Sequence, residues 1–189
     1  MMAIAAAWIL VLLLAGGFAL DRTLTNLVEN NFDDQLDYML TAMIASAEIG
    51  PDGEVYFNRP LGDQRFLEPN SGLYWQISGE GHDHFPSRSL WDRSLRMRAD
   101  HTDDRIHIYD SDQFENEPLR LAERSVILPG SETQWWFTVA ASRQELDFQI
   151  TRIRAILIWS FAVLGLGLFA MAVLQSWIGL GPLRRVRAA

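Results

Sequence analysis

Two apolar runs near opposite ends of the chain constrain its architecture more than any other feature. Residues 3–20, AIAAAWILVLLLAGGFAL, are 18 residues without a charge. At about 1.5 Å per helical residue this run reaches roughly 27 Å, close to the hydrocarbon thickness of a bilayer. The second run, Ala155 to Leu180, is longer and is broken only by Ser160, Gln175 and Ser176. Trp159 and Trp177 lie 18 residues apart in it, a spacing that suits the two membrane interfaces. Both runs are expected to be membrane-spanning helices. A cleaved signal peptide is the rival reading of the first. That run has no positive n-region and no good small-x-small cleavage site before Asp21.

Arg184, Arg185 and Arg187 follow the second run directly. Positive residues are retained in the cytoplasm, so the C-terminus is expected inside and residues 21–152 outside, in the periplasm of a cell that has one. Arg152 and Arg154 oppose this order. They are expected to snorkel to lipid phosphates or to meet acidic partners such as Asp21. The expected boundaries are residues 1–20 for the first span, 21–152 for the outer domain, 153–180 for the second span and 181–189 for a cytoplasmic linker.

The outer stretch holds all 24 acidic residues of the chain and 12 of its 16 basic ones, every one an arginine, leaving a net charge of −12. Nucleic-acid binding needs a basic footprint and is excluded; cations or cationic ligands suit this charge better. There is no cysteine, so neither a disulfide framework nor a thiolate metal site can form.

Leu24, Leu27, Val28, Phe32, Leu36, Met39, Leu40, Met43, Ile44 and Ala47 make an i, i+3, i+4 stripe. The first helix is therefore expected to continue outward as far as Gly50-Pro51-Asp52-Gly53. Its stripe looks wider than a small sheet can cover, which predicts a parallel homodimer packed through this helix. Strands are expected at Glu54–Asn58, Leu73–Ser78, Arg105–Asp110, Leu119–Leu128 and Gln134–Ala141, with a short one at Ser87–Trp91. Pro129-Gly130-Ser131-Glu132-Thr133 should close a hairpin. Ser142 and Glu145 have the spacing of a capping box, and Leu146, Ile150, Ile153 and Leu157 carry helical spacing into the second run. The fold class is α+β: an antiparallel sheet between two long helices continuous with the spans.

Gly179-Leu180-Gly181-Pro182-Leu183-Arg184-Arg185-Val186 resembles the opening of a HAMP linker. RFLEPNSGLYWQI (Arg65–Ile77) and SRSLWD (Ser87–Asp92) resemble segments of proteobacterial sensor histidine kinases of the PhoQ-like group. The resemblance implies an outer PAS-like (PDC) domain. It also implies a parent protein that autophosphorylates a histidine from ATP and passes the phosphoryl group to a response regulator. Neither a phosphoacceptor helix nor an ATP-binding domain lies within these residues. A chemoreceptor, a cyclic-dinucleotide enzyme or a non-enzymatic membrane adaptor could share this front end.

Asp110, Asp112, Glu115 and Glu117 crowd four carboxylates into eight residues. The plain reading is a solvated acidic loop; the functional one is a site where Mg2+ or Ca2+ relieves mutual repulsion. In the PhoQ-like group an acidic surface faces the membrane, and divalent cations bridge it to anionic lipid. His82 and His84, with Asp100, His101, Asp103 and Asp104 downstream, are weaker candidates for a transition metal. Among the aromatic residues, Trp75 and one of Trp135 or Trp136 are expected in the core.

Overall fold

The computed structural model describes residues 2–98 and 103–185, so the expectations placed on Asp100, His101 and Arg187 lie outside the described residues. The chain divides into two compact units. One comprises residues 1–27 and 148–189, the other Val28–Asp147. Helices α1 (Met2–Ser46) and α2 (Gln144–Arg185) each contribute to both. Both are long and apolar enough to cross a membrane.

Within the Val28–Asp147 unit, α1 stops at Ser46, about one turn short of the expected stop at Gly50. Ala47–Ile49 is strand β1, paired antiparallel with β2 (Val55–Phe57). Gly50-Pro51-Asp52-Gly53 is therefore the turn of a hairpin and not the stop of a helix. Gly53 supplies a φ of +81° there, a conformation that side chains resist. Asn58 N–H donates to the Ser46 carbonyl at 3.0 Å, so the hairpin takes up one of the helix's last free acceptors.

The main sheet has five strands in the order β4-β3-β7-β6-β5, all antiparallel. They are β3 (Leu73–Gly79), β4 (Phe85–Pro86), β5 (His107–Phe114), β6 (Glu117–Ile127) and β7 (Gln134–Ser142). Each of the five longer strand expectations falls on an observed strand. The short one at Ser87–Trp91 does not: Arg88–Leu90 is a 3-10 helix. Serine chemistry explains the difference. Ser87 Oγ accepts the Trp75 N–H at 3.1 Å, and Ser89 Oγ donates to the Leu73 carbonyl at 2.7 Å. These side chains occupy edge groups of β3 that a paired strand would use.

Alternation gives the sheet two apolar faces. Trp75, Ile77, Trp135, Phe137, Val139 and Ala122 pack with Leu36, Leu40 and Met43 of α1. Trp135, not Trp136, is the second core tryptophan. Phe32, Met39 and Ile44 lie half-buried against the same cluster. The sheet and hairpin thus cover the stripe from Phe32 onward, and excess stripe width gives no argument for a dimer. On the opposite face, Tyr74, Leu119, Leu121 and Ala140 pack with Leu90 and Leu95, residues of the segment between β4 and β5.

The start of α2 also departs from expectation. Ser142 is the last residue of β7, and its N–H donates to the Gly72 carbonyl at 2.7 Å. The first helical turn closes on the Arg143 carbonyl, which accepts from Asp147 N–H at 2.8 Å. Arg143 therefore holds the N-cap position, and Ser142 precedes it. Ser142 Oγ receives only a 3.4 Å contact from the Gln144 N–H.

Candidate functional site

The four carboxylates of the acidic segment do not converge. They lie on the β5–β6 hairpin, where the register shifts between Ser111 and Phe114. Asp110 is on the face toward α1. It accepts from Arg120 Nη1 at 2.9 Å and from Arg143 Nη1 at 2.6 Å. Arg120 also donates to Asp33 of α1 through Nε and Nη2, and Arg143 reaches Asp147 at 3.5 Å. Five charges thus alternate in sign from α1 through the sheet to the first turn of α2. Hydrogen bonding to Asp33 is the largest of the causes that raise the Arg120 pKa above its ordinary value. Asp112 and Glu115 are exposed beside the turn.

Glu117 lies on the other face, inside a second cluster. It accepts from Tyr74 Oη at 2.8 Å and from Arg93 Nη1 at 3.0 Å. The Arg93 guanidinium stands 4.2 Å from the Phe114 ring centroid and 4.9 Å from that of Tyr74, within cation–π range. Burial, followed by the bond to Glu117, pushes the Tyr74 phenol upward. Sequence reasoning singled out Glu117 but missed Arg93. Its signal was an arginine-rich stretch within an acidic domain.

The histidines are separated. His82 Nδ1 meets Glu54 at 2.8 Å, and its ring lies 4.8 Å from that of Trp135. His84 Nδ1 meets Ser78 Oγ. His107 meets Asp103 at 2.8 Å. Among the described residues no group of three or more His, Asp or Glu side chains is placed to hold a metal ion.

In the unit built from the helix ends, Arg154 Nε donates to Asp21 at 3.0 Å, the partner expected for it. Gly17 faces the Phe161 ring and Gly165 faces Leu13 across α1 and α2.

A family model described as two-component sensor kinase N-terminal matches residues 9–153. No curated protein and no solved structure matches the chain.

Proposed function

The chain belongs to the two-component sensor kinase N-terminal family, and from that premise we propose that it is the signal-sensing and signal-transmitting region of a PhoQ-like sensor histidine kinase. The single observation that carries this reading is the extent of the family region. It begins inside the first apolar run, takes in the whole sheet and ends at the start of the second. In this reading the sheet domain is a PAS-like (PDC) module on the periplasmic side of the inner membrane, and the parent works as a homodimer. The segment from Gly179 begins a HAMP linker. It leads to a domain that phosphorylates a histidine from ATP and serves a response regulator.

The physical support is the continuity of α1 and α2 together with the charges that join them. A signal that alters the sheet acts on Asp110 and Arg120, and through them on Asp33 of α1 and Arg143 at the start of α2. Helices without a break pass such a shift as a rigid-body displacement. A net charge of −12 beside anionic lipid favours multivalent cations. Mg2+ or Ca2+ at Asp112 and Glu115, competing with arginine for Asp110 and Glu117, is the form of cation sensing that this charge supports.

Reporter fusions after Leu20 and after Arg187 test the topology. A cytoplasmic signal from the sheet domain would overturn the reading. Replacing Asp110, Asp112, Glu115 and Glu117 together with their amides should abolish any response of kinase output to millimolar Mg2+. An unchanged response would remove these carboxylates from the sensing role.

A further inference from the structure

Between Arg88 and Arg98 the acidic domain reverses its sign. Arg88, Arg93, Arg96 and Arg98 face a single acid, Asp92, within eleven residues. The segment crosses the sheet face opposite α1 as a strap, and its backbone is tied at several points. Leu95 is buried, and Gln76 grips its main chain on both sides: Leu95 N–H donates to Oε1 at 2.8 Å, and Nε2 donates to the Leu95 carbonyl at 3.1 Å. Arg93 is fixed by Glu117, Tyr74 and Phe114. Arg96 N–H donates to Gln113 at 2.7 Å. The Arg98 guanidinium lies 4.3 Å from the Tyr109 ring centroid.

Beside this strap is a cleft of about 430 Å³, bordered by Gln76, Ser78, His84, Ser94, Arg96 and Trp136. Its volume falls in the range of small-molecule sites. Among the described residues no aspartate or glutamate lines it, although acids outnumber arginines two to one in this domain. Arg96 is exposed, and its guanidinium has no partner among the described residues. His84 engages Ser78 through Nδ1, and its Nε2 has no partner among the described residues. The strap's anchors hold the cleft in shape, so a ligand would not bear the cost of ordering it.

We propose that this cleft binds a small organic monoanion, a carboxylate on a short apolar body, with the carboxylate at Arg96 and His84 and the body against Trp136. A guanidinium pairs in a forked geometry with carboxylate or phosphate alike. Two features select the carboxylate. Trp136, Leu95 and Met97 give the cleft apolar wall that inorganic phosphate cannot use. The surrounding net charge of −12 repels a dianion more than a monoanion. The proposal deepens the sensory reading by naming a ligand class. Binding is measured on the chain itself, so its failure is separable from a failure of the sensory role, which is read in the parent's output.

The test is calorimetric titration of the full chain in lipid nanodiscs with benzoate, benzylamine or inorganic phosphate. Benzoate should bind saturably, and benzylamine and phosphate should not. Arg96→Gln should weaken benzoate at least tenfold. Arg88→Gln makes the same charge change on the strap, outside the cleft, and should leave affinity within twofold. Equal losses in the two variants would reduce the effect to general charge and overturn the proposal. So would absence of benzoate saturation, binding of benzylamine as strong as that of benzoate, or saturable binding of phosphate alone.

Discussion

Arg120, in the first half of β6, donates through Nε and Nη2 to the carboxylate of Asp33 on α1, the second bond at 2.7 Å, across 87 residues of sequence. Both side chains are about four-fifths shielded. The same guanidinium holds Asp110, which holds Arg143 at the head of α2. Removing Arg120 leaves two carboxylates without this partner. Arg120→Ala should cost about 1.5–3 kcal/mol, read as a lowered denaturation midpoint. Asp33→Ala in the Arg120→Ala background should add much less than it does alone. Simple additivity in that cycle would mean that the pair is not coupled.

The start of α2 makes a prediction about Ser142. Because Arg143 occupies the cap position, Ser142→Ala should destabilise by less than about 0.5 kcal/mol, below the usual cost of losing a cap. Two glycines inserted after Asp147 should behave differently. In the parent kinase they should uncouple output from stimulus while the sheet stays folded. Output that still followed the stimulus would remove helix continuity as the route of transmission.

Dimer contacts have a defined place on α1 if the homodimer forms through it. Leu36, Leu40 and Met43 are buried against the chain's own fold. Leu27, Asn31, Asp34, Tyr38, Thr41 and Ala45 are exposed and follow the alternating four–three spacing of a coiled-coil seam. Tyr38, at 75 % exposure, is the largest apolar contributor. Single cysteines at 38 and 41 should crosslink between protomers in membranes, and those at 36, 40 and 43 should not. The cysteine-free background makes the pattern readable. Crosslinking of equal yield at both sets would argue against this seam.

A buried phenol, Tyr74, and a half-buried one, Tyr109, predict an alkaline limit. Burial, and then hydrogen bonding to Glu123, raises the Tyr109 pKa well above the ordinary tyrosine value, and burial also leads the rise at Tyr74. A raised folded-state pKa means stability that is fully present below the unfolded value, about 10, and lost as pH climbs toward the folded one. Denaturation midpoints should therefore hold up to about pH 10 and fall above it. The fall should be shallower in Tyr109→Phe. A midpoint that stayed flat to pH 11 in the native chain would contradict the assignment.

Much of this protein was determined by local sequence pattern. An uncharged run of 18 residues has few stable places outside a bilayer, and α1 and α2 occupy the two such stretches. The apolar runs at Leu73–Ser78, Leu119–Leu128 and Gln134–Ala141 make strands because a pleated chain sends successive side chains to opposite faces, and here both faces are covered. Those features are legible in local pattern. Tertiary structure decided what depends on partners distant in the chain. The helix yields at Ala47 because Phe57 and Val55 offer strand pairing there. Ser87–Leu90 is not a strand because its own hydroxyls take the edge of β3. The acidic segment read as one cluster, yet the pleat and the bulge send Asp110 to one face and Glu117 to the other. There they meet Arg120, Arg143 and Arg93, residues whose spacing from them in sequence carries no hint of contact. Charge is legible in a sequence; whether a charge is already neutralised depends on which arginine the fold sets beside it.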